Sequence, residues 1–366
     1  MRALAEQVVA RCLELAACTE EPGRITRTFL SPPMRRVHEL VGGWMCEAGL
    51  AVSIDAVGNI RGVRGAPGLI IGSHLDTVPD AGAYDGILGV MCGLALASSS
   101  SRPLAVVGFS EEEGVKFGVP FIGSRALIGT ARSMLDADPR IAAAIAGYGL
   151  DASKVDDARL PGTGYFEIHI EQGPVLEHHA LPIGVVDAIA GQSRYAVTFT
   201  GMANHAGTTP MHLRCDALVR ASEWIVKVDR YARSIEGLVA TVGRCEVEPG
   251  AGNVIPGQVR ASLDVRHKED AVRRAAVAEL LCGIDAQLLM DVDATPMALA
   301  SKLHGFVLTS GAGHDAMIMA QAMPAAMLFV RSPGGVSHHP DEALLVEDVA
   351  AALVAGQQFV ENFANV

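Results

Sequence analysis

Four short segments of this 366-residue chain carry imidazoles and carboxylates at spacings that suit a metal ion. The first is Gly72-Ser73-His74-Leu75-Asp76-Thr77, followed by Tyr84-Asp85-Gly86. His74 offers a ring nitrogen. Asp76, two residues on, is placed to hydrogen-bond the other ring nitrogen and fix its tautomer, and Asp85 has two oxygens with which to bridge two cations. The second segment is Ser110-Glu111-Glu112-Glu113-Gly114. Adjacent carboxylates repel one another unless a cation neutralises them or they point to water. With a cation present, one can ligate while its neighbour serves as general base. A solvated acidic loop is the alternative. The third segment, Glu167-Ile168-His169-Ile170-Glu171-Gln172-Gly173-Pro174, alternates. In a strand, Glu167, His169 and Glu171 share one face and the isoleucines the other, a pattern that a strand with one wet face also shows. The fourth runs from Gly334-Gly335 through Ser337-His338-His339 to Glu342. Its glycines permit close backbone approach to a ligand. One of the two adjacent histidines is available to a metal, since both cannot easily serve one centre.

The set His74, Asp85, Glu112, Glu113, His169 and His338 holds imidazoles and carboxylates without a thiolate. That composition suits two neighbouring Zn²⁺ or Mn²⁺ ions with an open position. The chain has no G-x-S-x-G elbow, no Walker loop, no G-x-G-x-x-G after a strand and no H-E-x-x-H. These residues therefore point to metal-assisted hydrolysis.

The elements that must position them are legible from hydrophobic period. Helical spacing runs over 2–17 and 34–48, strand-like runs cover 50–56, 68–72 and 104–109, and residues 86–98 form a helix lined with small residues. Strand–helix–strand alternation predicts an α/β domain with a mostly parallel central sheet, whose sites gather at the carboxyl ends of its strands. The middle of the chain differs. Strands at 164–171 and 194–200, a helix at 214–232, strands at 239–247 and 258–267 and a charged helix at 269–288 suggest a small α+β unit. A strand at 325–330 and a helix at 346–363 then return to the first domain. The expected organisation is a discontinuous catalytic domain, 1–187 and 303–366, with a smaller domain, 188–302, inserted into it.

Half the residues are hydrophobic and 5% aromatic, enough for a sizeable core, and 29 basic against 41 acidic residues give a net charge of −12. Such a chain repels phosphate backbones, so nucleic acid is excluded as a partner. The longest nearly apolar run, 86–97, is shorter than the roughly 20 residues a bilayer span takes, which argues against a membrane partner. The N-terminus reads as an amphipathic helix, not a signal peptide. Seven dispersed cysteines without a C-x-x-C pair suggest free thiols in a reducing compartment, hence a cytoplasmic protein.

Beyond these readings, the His74–Gly86 segment, Glu111-Glu112-Glu113-Gly114 and His169-Ile170-Glu171-Gln172-Gly173-Pro174 resemble the M20 metallopeptidase superfamily, in particular its amidase branch of allantoate amidohydrolases, N-carbamoyl-L-amino-acid hydrolases and β-ureidopropionases. Further matches are Asn204-His205-Ala206-Gly207, Gly252-Asn253-Val254-Ile255-Pro256, Gly311-Ala312-Gly313-His314-Asp315 and Ser337-His338. The resemblance implies a homodimeric amidohydrolase with two divalent metal ions per subunit, Mn²⁺ or Zn²⁺, with Co²⁺ or Ni²⁺ also accepted. His74 and His169 would hold one ion, Glu113 and His338 the other, with Asp85 bridging. Glu112 would be the general base, Asp76 the carboxylate behind the metal site and His205 a stabiliser of the oxyanion. Gln172, Asn253, Arg266, Gly334 and Gly335 would meet a small anionic ureido substrate. The inserted domain would act as lid and dimer contact. His338 is preferred to His339 because the family places a Glu four residues later, here Glu342. His at 169 favours ureido-cleaving amidases over peptidases, which usually carry Asp or Glu there. Allantoate is the first expected substrate, an N-carbamoyl-L-amino acid the second. A dipeptidase or deacylase, and a non-catalytic dimeric binding protein, are more distant alternatives. The connections at 61–68, 98–103 and 295–309 look shorter than usual for the branch.

Overall fold

The computed structural model describes residues 1–363, so the last three residues of the expected 303–366 span lie outside the described residues. The chain divides into two units, one made of Met1–Asp187 and the chain from Met297 on, the other of Ala188–Pro296. The return crossing thus precedes residue 303. Residues 297–302 belong with the first unit because Met297 donates its amide to Asp187 (2.8 Å) and Leu299 donates to Ala325 (2.9 Å).

In the first unit, β1 (Ala51–Ile54), β2 (Ile60–Arg64), β3 (Leu69–His74), β4 (Leu104–Phe109), β5 (Gly164–Ile170), the strand Ala325–Val330 and β6 (Ile183–Ile189) lie in the order β1-β2-β4-β3-β5-(325–330)-β6. The four central strands are parallel, and antiparallel strands flank them on both sides. Every residue of β3, β4, β5 and 325–330 is buried, as parallel strands covered on both faces require. This is why β5 shows no wet face: its alternation separates a polar site face from an apolar one, both inside. The covering helices include α1 (Arg2–Ala16), α2 (Met34–Glu47), α3 (Ile87–Ser99) and Val346–Asn362. α1 buries Ala5, Val8, Cys12 and Leu15, one apolar stripe. α3 is buried at every residue from Ile87 to Ala97, which fits its nearly all-apolar composition.

Because the central strands run parallel, their carboxyl ends open on one edge. His74 ends β3, the Glu111–Glu113 segment follows β4, His169 lies near the end of β5, and the 332–342 loop follows the strand Ala325–Val330. All four ligand-bearing segments meet there.

In the second unit, β7 (Gly191–Thr200) lies between the antiparallel strands Gln258–His267 and Asp285–Val292. Phe199, Trp224, Val228, Leu263 and Val277 share its core with the helices Ala217–Arg233 and Asp270–Leu280. Two expectations are corrected here. The helix expected to run to residue 288 stops at Leu280, and Asp285–Val292 is an edge strand. Gly283, at φ +72°, supplies the left-handed turn that separates them. The strand expected over 239–247 is two, Val239–Thr241 and Cys245–Glu248. Strands β2 and β6 and the short helices between Ile122 and Tyr148 lie outside the expected element set. Among the described residues, no helix is long and apolar enough to cross a membrane.

Candidate metal centre

His74, Asp85 and His169 are each at most 2% exposed. His74 Nδ1 donates to the Asp76 carbonyl (3.0 Å) and His169 Nδ1 to the Ile170 carbonyl (2.9 Å). A carbonyl can only accept, so each ring carries its proton on Nδ1 and turns an Nε2 lone pair inward. The two Nε2 atoms stand 3.5 Å apart, with an Asp85 oxygen 3.2 Å from His169 Nε2 and 3.9 Å from His74 Nε2. Acceptors facing acceptors at that separation call for a cation between them. The edge of a tetrahedron with Zn–N arms of 2.0–2.1 Å is about 3.4 Å. Approach of the chain to His74 is close: Gly86 has φ +73° and a Cβ there would lie 2.4 Å from the imidazole.

The other Asp85 oxygen lies 2.9 Å from His338 Nε2, which is 3.4 Å from Glu113. Ligand atoms thus fall into the groups His74–Asp85–His169 and Asp85–Glu113–His338, which share Asp85, and a third, His74–Glu112–Glu113, lies between them. The donor set fits two divalent ions bridged by one carboxylate. Burial raises the Asp85 carboxyl, but the His338 hydrogen bond and the neighbouring imidazoles outweigh it, so its pKa ends below the usual range. The same contacts with Asp85 and Glu113 push His338 up to about 10. Burial first, then the charges of Glu113, Asp315 and Asp76, pushes Glu112 well above the ordinary carboxylate range. A carboxylate held among anions in this way takes up a proton readily.

Asp76 is at the centre but not in the expected contact. Its carboxylate stands 3.8 Å from His74 Nδ1, whose proton goes to the Asp76 main-chain carbonyl. The carboxylate instead accepts the amides of Glu112 and Glu113, both at 3.1 Å. Gln172 donates to both Asp85 oxygens (3.2 and 3.1 Å). The glycine amides in the fourth segment already have partners: Gly334 donates to the Glu177 carboxylate and Gly335 to Ser332. His205, Asn253 and Arg266 belong to the second unit. His205 is exposed, and its Nδ1 accepts the amides of Gly207 (3.0 Å) and Thr208 (3.2 Å). That fixes the tautomer with the proton on Nε2, a donor of the kind an oxyanion needs. The Asn253 carbonyl accepts from Ala206 (3.0 Å), which ties the two motifs together. The Nε/Nη2 edge of Arg266 is held by Asp264 of its own strand at 2.9 and 3.0 Å.

Beneath these residues lies a polar layer whose role residue types and spacing do not assign. Fully buried Glu167 accepts from Ser73 (3.0 Å), Tyr165 (3.1 Å) and the Ala316 amide (2.8 Å). The His314 ring sits 4.4 Å from His169, edge to face. The Gly313-His314-Asp315 motif was the available signal; its position under β5 is non-local.

The description of peptidase family M20/M25/M40 matches residues 70–362. An allantoate deiminase from Arabidopsis thaliana is 37% identical over an alignment of 435 positions that covers 98% of this chain and 82% of that protein. The alignment is longer than this chain, so it holds gaps in this chain. An N-carbamoyl-L-amino acid amidohydrolase from Geobacillus stearothermophilus is 38% identical, covering 94% of this chain and 95% of its own length. The crystal structure of a hydantoinase/carbamoylase family amidase from Burkholderia multivorans superposes with a TM-score of 0.86 at 30% identity, over 97% of this chain and 96% of that one. The shared fold, the shared length and the ligand-bearing segments agree: the chain belongs to the M20 peptidase family, in its hydantoinase/carbamoylase amidase branch.

Proposed function

We propose that this protein is a metal-dependent amidohydrolase that cleaves the ureido C–N bond of an N-carbamoyl acid, allantoate first, releasing ammonia and carbon dioxide. The observation that carries the reading is the pair of ligand groups sharing Asp85 with Glu112 beside them. Two ions bound there, Mn²⁺ or Zn²⁺, would supply Lewis acidity and a water that loses its proton near neutral pH. His74 and His169 would hold one, Glu113 and His338 the other, Asp85 both. Glu112 takes the proton from the attacking water and delivers it to the leaving nitrogen. His205, through Nε2–H, stabilises the oxyanion, and Gln172, Asn253 and Arg266 meet the substrate. In this proposal the inserted unit serves as the lid and as the contact with a second copy. Leu288 (52%), Leu289 (60%) and Met290 (38%), exposed on its edge strand, support the latter. A cytoplasmic setting is supported by seven free thiols.

The near-equal identities to the deiminase and the carbamoylase support a second substrate reading, an N-carbamoyl-L-amino acid. Ammonia release by chelator-stripped protein, with and without Mn²⁺, tests both on parallel substrates. Mn²⁺-dependent release from allantoate that vanishes in Glu112→Gln is expected. Release only from N-carbamoyl-L-amino acids moves the assignment to the second reading, and no release from either overturns the proposal.

A further inference from the structure

Glu342 is the first buried residue after Ser332 in a loop that otherwise lies partly or fully in solvent, and only 7% of it is exposed. One of its oxygens accepts the amides of Tyr84 (2.8 Å) and Asp85 (3.1 Å), 258 and 257 residues away. Its other oxygen lies 3.4 Å from the Ser337 hydroxyl, which is also 3.3 Å from an Asp85 carboxylate oxygen. The seat is closely shaped: a Cβ at Gly82 would fall 2.3–2.4 Å from Glu342 atoms. The loop turns back on itself through the Glu342 amide and the His339 carbonyl (3.0 Å). His338, which carries the ligand nitrogen, has φ +56°, a conformation a non-glycine residue keeps only when its surroundings hold it. The His338 side chain itself is 46% exposed. Burial in the interior therefore comes to this loop from Glu342, four residues on.

We infer that Glu342 is a positioning residue that, with Ser337, sets the distance between Asp85 and His338 and thereby shapes the site of the ion these two share with Glu113. The inference rests on the two-ion reading above. Both backbone donors converge on one oxygen, so the demand is for an acceptor of this shape. A glutamine meets it: its Oε1 accepts the two amides and its Nε2–H₂ faces the Ser337 oxygen. Alanine leaves the Tyr84 and Asp85 amides buried without acceptors and the loop without its anchor.

The test is Co²⁺ binding to chelator-stripped protein, followed by calorimetry and by the visible absorption of the bound ion, with thermal unfolding of each metal-free form alongside. Wild type is expected to take up two ions per chain. Glu342→Ala is expected to bind one of the two about 10–100-fold more weakly, as loss of an outer-shell partner does, with an altered Co²⁺ spectrum. Glu342→Gln is expected to restore binding to within about threefold of wild type. Ser337→Ala keeps the buried anchor and loses only the direct tie. It is expected to weaken the same ion several-fold, which keeps the inference testable should Glu342→Ala fold poorly. A lower unfolding temperature in the metal-free Glu342→Ala protein with unchanged affinity and spectrum would mean a purely structural role and overturn the inference, as would unchanged binding in Ser337→Ala together with equal losses in the Gln and Ala variants. Uptake of fewer than two ions by wild type overturns the two-ion reading and this inference together; failure of the variants alone, with two ions in wild type, overturns only this one.

Discussion

Asp76→Asn separates two accounts of how a carboxylate behind the metals works. In one it fixes His74 through the ring. The structure gives the other: the ring proton goes to the Asp76 carbonyl, and the carboxylate holds the amides of Glu112 and Glu113 at 3.1 Å each. Asparagine is nearly the same size but has only one acceptor oxygen, and its NH₂ faces an N–H. One hydrogen bond to a charged acceptor is lost, roughly 1.5–3 kcal/mol at a buried site. If that loss is expressed in the transition state, through misplacement of Glu112, it amounts to about 10–100-fold in rate. The assay is steady-state ammonia release at saturating Mn²⁺, with Mn²⁺ affinity measured separately by competition with a chelating dye. The expected result is a fall of that size in kcat with KM little changed, and a larger fall in Asp76→Ala, which removes both acceptors. A kcat within twofold of wild type would refute the reasoning. So would a defect confined to Mn²⁺ affinity and absent at saturation, which would return the role of Asp76 to the His74 ring.

His38 supplies a pH prediction away from the metals. Burial lowers its pKa from 6.5 to about 4, so the unfolded chain binds the extra proton first. Its contribution to stability is intact above pH 6.5 and is lost as pH falls through 4, by roughly 3 kcal/mol for a shift of this size. Urea unfolding of metal-free protein should show wild type losing about that much more than His38→Gln between pH 7 and 4; parallel curves would contradict it. At the edge of the inserted unit's sheet, Leu289→Arg places a charge on a residue 60% exposed. On the proposed contact between copies, light scattering is expected to show a dimer for wild type and a monomer for the variant, with unchanged circular dichroism; a variant dimer would move the contact elsewhere, and a wild-type monomer would refute it.

Much of the fold was legible because its signals are local. The apolar runs of β3, β4 and 325–330 and the stripe of α1 are patterns within one element, and the ends of parallel strands are where ligand-bearing segments were expected and found. The inserted unit was read less well. By spacing alone, residues after Gly283 up to Leu288 continue the preceding helix. What makes them a strand is the pairing of Asp285–Val292 with β7, about 90 residues away in the chain. Asp76 was misread for a related reason. A spacing of two puts side chains on one face only while the strand continues, and β3 ends at His74. Beyond it, Leu75 donates to Phe109 (3.0 Å) and Thr77 to Arg27 (2.9 Å). The Leu75 amide is the last to bond β4; by Thr77 the chain has turned to Arg27, and the Asp76 carbonyl meets the ring.

The three successive glutamates show what a sequence pattern leaves open and what a single backbone turn decides. As letters they are equivalent, and composition alone assigns none of them. Glu111 adopts φ +53°, which turns it out of line with its neighbours. Its carboxylate accepts the Lys116 amide at 2.9 Å, and burial first, then the Asp76 charge, push it up to about 8. That turn also delivers the next two amides to Asp76, with the Glu112 and Glu113 side chains toward His74. Three identical carboxyls thus enter three surroundings: one pins the loop, one sits buried among anions where it gains proton affinity, and one lies 3.4 Å from His338, which it shares with Asp85. The different surroundings of Glu112 and Glu113 follow from where their main-chain amides are held. A substitution that frees those amides should therefore impair Glu112 and Glu113 together, although neither side chain has been touched.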